Sequence, residues 1–154
     1  MNTNTSLSMC ALMIAFTLPA FAQDARSIAD AANAKWLQAY NKGDAAGLTA
    51  LYTKDAVVIL PTAAEPIVGA VNIRKMFDAD LAHPAMGLVI KSTESEMLDA
   101  NTIIDAGTWA GDFPGEKGAA SMHINGAYAV TFVHQGSDWL LRVDSTSMAP
   151  SPPK

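Results

Sequence analysis

Apolar spacing changes once along this chain, and the change limits what the chain can fold into. In the first third, Ile28, Ala32, Trp36 and Tyr40 recur every four residues, with Leu37 and Ala39 widening the stripe. That repeat is one face of a helix. Asn41-Lys42-Gly43 reads as its end, because glycine accepts the left-handed backbone that closes helices. Asp44 then caps a second short helix carrying Leu48, Leu51 and Tyr52. Lys54-Asp55 reads as a turn, followed by the β-rich run Val57-Val58-Ile59-Leu60, which Pro61 stops. A polar hairpin through Glu65-Pro66 leads to a third helix from Ala70, with Ile73, Met76, Phe77 and Leu81 on its apolar face. His83-Pro84 ends that helix, since the residue before proline is pushed out of helical geometry.

Beyond this point the pattern is extended. Met86 to Leu98, Thr102 to Gly111, Ser121 to His134 and Trp139 to Met148 read as strands, separated by turn-forming residues and one glycine-rich loop. Long consecutive strands joined by short turns are antiparallel neighbours. Helices followed by such a meander predict an α+β domain, with helices covering one face of a curved sheet.

The first 22 residues carry no charged side chain, and an apolar run from Cys10 through Phe21 ends in Ala20-Phe21-Ala22. This is the layout of a secretory signal, with cleavage expected between Ala22 and Gln23. An uncleaved anchor is the alternative, but the run is short against the ~20 residues of a membrane span. The expected organisation is a signal over residues 1–22, one domain over 23–148, and a loose proline-rich tail over 149–154. The mature protein is then periplasmic or secreted, without stable membrane insertion. The only cysteine, Cys10, leaves with the signal, which removes thiol chemistry from the mature chain. A net charge of −5 argues against a broad surface for phosphate backbones, so nucleic acid is not an expected partner.

The run Trp36-Leu37-Gln38-Ala39-Tyr40-Asn41-Lys42-Gly43-Asp44, with Leu48, Leu51-Tyr52 and Asp55-Ala56-Val57, resembles the opening of nuclear transport factor 2-like proteins. Gly107-Thr108-Trp109, Tyr128 and Phe132, Gly136-Ser137-Asp138-Trp139 and Arg142-Val143-Asp144 extend the resemblance to the SnoaL-like and ketosteroid-isomerase-like branch. The resemblance implies a cone: about three N-terminal helices on a curved antiparallel sheet, enclosing a tapered cavity, commonly in a homodimer. Ketosteroid isomerases of this fold use a tyrosine in the first helix, an aspartate ending the first strand and an acid in the penultimate strand. In register these positions fall near Trp36, Leu60 and Tyr128. Only Tyr128 retains a usable group, a hydroxyl that could donate to an oxyanion. Steroid isomerase chemistry is therefore disfavoured.

Arg142 and Asp144 are the catalytic candidates. Strict alternation puts them on one face of the last strand with Leu140 and Thr146. Epoxide hydrolases of this fold activate water with an Arg-x-Asp step on another strand, together with a second acid that this sequence does not place. A structural ion pair, or a pair at a dimer interface, explains the same residues. Tyr128, Trp109, Trp36 and Tyr52 are candidates for lining a ligand cavity; packing alone would also account for them. His83, His123 and His134 show no metal-ligand spacing, and no motif for a cofactor is present, so neither metal nor cofactor is expected. The expected function is binding of an apolar or amphipathic small molecule in the cone. The alternative is an enzyme of the ketosteroid-isomerase-like class, an isomerase or cyclase, or a hydrolase using Asp144 with Arg142.

Overall fold

The computed structural model describes residues 20–115 and 119–149, with side chains from residue 24 onward. Almost all of the expected signal, Cys10 and the end of the expected tail lie outside these residues. Helix α1 runs Ala20–Asn41, α2 Ala45–Ala50 and α3 Ala70–Asp80. The strands are β1 Tyr52–Ile59, β2 Ile67–Val68, β3 Met86–Asp99, β4 Thr102–Phe113, β5 Met122–Gln135 and β6 Asp138–Thr146. The turn between α1 and α2 follows from local chemistry. Gly43 takes φ 67°, and Asp44 accepts the backbone N–H of Gly47 at 2.8 Å.

Among the described residues, the six strands form one sheet in the order β2-β1-β6-β5-β4-β3. Strands β3 to β6 make the expected antiparallel meander, and β1 joins its far edge parallel to β6. Two readings of the opening are corrected here. Tyr52 does not continue α2, and Lys54-Asp55 is no turn; both lie in β1. The helical spacing of Leu48, Leu51 and Tyr52 is real, but Leu51 already accepts the backbone N–H of Leu141 at 2.8 Å, which draws the chain into the sheet. Tertiary pairing overrides local propensity at this point.

The three helices cover one face of the sheet. Ala25 and Ala29 of α1, Leu48 of α2, Ile73 and Phe77 of α3, and Ile103 and Phe132 of the sheet are buried between the layers. Small α1 residues let the helix approach β3 closely, whereas larger side chains further along it hold the layers apart. Between Trp36, Phe77 and the inner face of β4 to β6 the layers enclose a cavity of about 330 Å³.

Candidate functional site

Helix α1 turns Asn33, Trp36 and Tyr40 to this cavity, residues three and four apart on one stripe. Trp36 stacks on Tyr40 with ring centroids 5.2 Å apart and meets Phe77 of α3 edge-on at 6.1 Å. The opposite wall comes from alternate residues of the sheet: Trp109 and Phe113 of β4, Ile124, Tyr128 and Val130 of β5. Leu60, Pro61 and Thr62 close one side.

Strand β6 contributes Leu141, Asp144 and Thr146. This set is not an alternating one, because β6 is bulged. Thr131 pairs with Val143 and Phe132 with Leu141, which leaves Arg142 without a partner on β5. The extra residue inverts the alternation on either side of it. Arg142 and Asp144 therefore do not share a face, contrary to the expectation from spacing. The Arg142 guanidinium donates to the carbonyl of Asp55 at 2.8 Å and lies 3.3 Å from its carboxylate. Asp55 is held below the usual carboxylate range, mainly by the Thr53 hydroxyl. Arg142 is thus tied to β1 and does not line the cavity.

Asp144 stays at the cavity wall without its expected arginine. Its Oδ2 accepts the Tyr52 hydroxyl at 2.6 Å, and that hydroxyl accepts the Trp36 indole N–H at 3.0 Å. No described residue donates to Oδ1. The surface Asp144 retains faces the cavity, and desolvation raises its pKa, only partly opposed by the Tyr52 bond. Tyr52 itself is 5% exposed and lies behind the cavity wall, so it positions Asp144 and does not touch a ligand directly. Its own pKa rises well above the ordinary value, through burial and then the neighbouring Asp144.

A second polar cluster lies on the α1 side. Asp105 of β4 is fully buried and collects four donors: Tyr128 at 2.7 Å, Ser92 at 3.1 Å, Asn33 at 3.2 Å and Ser95 at 2.7 Å. Buried carboxylates need this degree of hydrogen bonding. One expectation is corrected by it. The Tyr128 proton is committed to Asp105, and its oxygen accepts the Asn33 amide at 3.1 Å and lies 3.0 Å from the Ser92 hydroxyl, so Tyr128 offers the cavity its ring and not a donor for an oxyanion. Burial raises the Tyr128 pKa, so that proton stays in place.

Asp80 at the end of α3 is a second acid on the cavity, at its rim. Desolvation raises its pKa, and the nearby Tyr40 hydroxyl opposes the rise. Tyr40 accepts the Ala85 backbone N–H at 2.9 Å, and burial pushes its pKa up to about 12. Of the residues singled out from the sequence, Trp36, Trp109, Tyr128 and Asp144 line the cavity, whereas Arg142 and Tyr52 do not. Asn33, Asp80 and Asp105 were not singled out. Each sits in step with apolar residues on a buried face, and a polar residue in that register is the available signal. Among the described residues, no three His, Cys, Asp or Glu side chains converge as a metal site requires.

A family model described as a SnoaL-like domain matches residues 29–150. Among solved structures, a ketosteroid isomerase-like protein from Erwinia carotovora atroseptica is 16% identical with a TM-score of 0.72. The match covers 81% of this chain and 96% of that one. A Novosphingobium aromaticivorans protein, provisionally described as a scytalone dehydratase, is 11% identical with a TM-score of 0.71, covering 81% and 84%. A nuclear transport factor 2-like protein of unknown function from Shewanella oneidensis is 15% identical with a TM-score of 0.61, covering 79% and 97%. These likenesses establish the fold. No protein of curated function matches the chain in sequence.

Proposed function

This chain belongs to the SnoaL-like domain family, and we propose that it is an exported domain that binds a small apolar or amphipathic molecule in its cone. The observation that carries the reading is the cavity itself. Its walls are aromatic and aliphatic, its volume of about 330 Å³ suits a small molecule, and a carboxyl group faces into it whose Oδ1 takes no hydrogen bond from the described residues. Ligand sites combine apolar walls with a few convergent polar groups, typically over ~300–1,000 Å³. The charge-free, apolar opening of the chain supports export. The outward face of the sheet, with Val89 and Ile104 exposed beside Ala106 and Ala127, supports pairing of two copies.

A second reading is favoured by the state of Asp144. A carboxyl group whose pKa is raised by desolvation, held in one orientation by Tyr52, is suited to take up or return a proton. In that reading the bound molecule is a substrate, isomerised or cyclised by proton transfer at Asp144. The Tyr52–Trp36 relay fixes the carboxylate while Oδ1 does the chemistry. Asp144→Asn then abolishes turnover without unfolding the protein; full turnover in that variant sinks the reading.

Non-denaturing mass spectrometry of protein purified from an exporting host tests the primary proposal. A dimer of chains beginning at Gln23 and carrying an additional small mass is the expected result. A ligand-free species that takes up none of a panel of small apolar compounds would count against the binding reading.

A further inference from the structure

Within the cavity just described, the charged groups all have one sign. Asp144 and Asp80 line it, and among the described residues no Lys, Arg or His does. The bulge in β6 removes the nearest candidate counter-charge, because Arg142 is bound to Asp55. Among the described residues, Asp144 therefore faces an apolar space with one neutral hydrogen bond, from Tyr52, and none of them donates to Oδ1. A carboxylate in that setting is poorly compensated unless something else brings positive charge. The walls are suited to the same partner. Six aromatic rings line the cavity, from Trp36, Tyr40, Phe77, Trp109, Phe113 and Tyr128. Aromatic faces attract cations electrostatically and cover their apolar substituents.

We infer that the ligand of this cavity is an organic amine, a protonated nitrogen on an aromatic or otherwise apolar body, with the nitrogen placed against Asp144 Oδ1. The inference rests on the reading that the cavity holds a small molecule, and it adds the chemical class. Asp80 at the rim acts in the same direction, drawing cations toward the mouth and disfavouring anions. A carboxylate or phosphate ligand would meet two acids and no described cation, and a neutral ligand would bring Asp144 no opposite charge, leaving desolvation to favour its protonated form.

Calorimetric titration with three probes of one shape separates the possibilities: 2-naphthylmethylamine, 2-naphthylmethanol and 2-naphthoate. Charge-assisted hydrogen bonds are roughly twice as strong as neutral ones, so the amine is expected to bind about tenfold more tightly than the alcohol, and the naphthoate most weakly. In Asp144→Asn, which keeps an acceptor for Tyr52, the advantage of amine over alcohol should collapse to about threefold or less on the same scale. Asp80→Asn should reduce it by a smaller factor. Equal binding of amine and alcohol to the unaltered protein would overturn the inference while leaving the cavity as a site for neutral molecules. An amine preference that survives in both variants would also overturn it. Binding by none of the three would remove the cavity reading and the inference together.

Discussion

Replacing Tyr52 with phenylalanine removes one oxygen atom and breaks both bonds of the relay behind the cavity. The Tyr52 hydroxyl donates to Asp144 at 2.6 Å and accepts the Trp36 indole N–H at 3.0 Å. Hydrogen bonds to a charged group contribute about 1.5–3 kcal/mol, and a donor left unpaired in a buried site costs about 1–3 kcal/mol. Cavity water can take over part of both roles, so the expected net loss is about 2–4 kcal/mol. At about 4 °C per kcal/mol for a domain of this size, the melting temperature falls by about 8–16 °C. Losing the Tyr52 hydrogen bond, which opposes desolvation of Asp144, also raises its pKa further. Circular dichroism melts at neutral pH measure the loss. A double-mutant cycle with Asp144→Ala should return about 1–3 kcal/mol of coupling. A melting shift below about 2 °C, or additivity within about 0.5 kcal/mol, would refute the relay.

Asp144→Asn should stabilise the protein in a pH-dependent way. A folded-state pKa above the ordinary 3.8 means that the native state holds its proton more tightly than the unfolded chain. Wild-type stability from this group is then full below the unfolded value and is lost as pH rises through the folded one, so the variant's advantage should grow from acid to neutral pH. Melts across that range that show the advantage shrinking would reverse the assignment. Gly107→Ala should cost about 2–3 kcal/mol, because a Cβ there would collide with the Lys91 carbonyl oxygen, a backbone atom that cannot rotate away; an unchanged urea midpoint would contradict this packing. Arg142→Ala should leave the affinity of 2-naphthylmethanol unaltered in calorimetry, since its guanidinium is bound to Asp55 away from the cavity. A loss above tenfold would return Arg142 to the site.

Periodicity made most of the architecture legible. The α1 stripe, the Asp44 cap, the proline stop after α3 and the four long strands all follow from local spacing and turn chemistry, with ends within a few residues. The start of β1 did not, because Leu51-Tyr52 keeps helical spacing while the hydrogen bond that ends the helix comes from Leu141, ninety residues away in β6. The parallel pairing of β1 with β6 is equally non-local. At the site, Trp36, Trp109, Tyr128 and Asp144 were recoverable as aromatic or acidic residues on inward faces. The face of Arg142 was not, because Leu140-Leu141-Arg142-Val143 has no polar alternation that would reveal the bulge. Asn33 gives little signal by residue type, since a polar residue on a helix is usually solvated. Its place three residues before Trp36 and seven before Tyr40 puts it on the cavity stripe instead.

The most direct test of the account uses the three tryptophan indole resonances in a nitrogen–proton correlation spectrum while 2-naphthylmethylamine is added. Trp36 and Trp109 line the cavity, and Trp139 lies at the far turn beside His134. Binding in the cone predicts that the Trp36 and Trp109 indole signals shift together and saturably while Trp139 stays in place. A saturable shift confined to Trp139, or binding that leaves Trp36 unmoved, would contradict it.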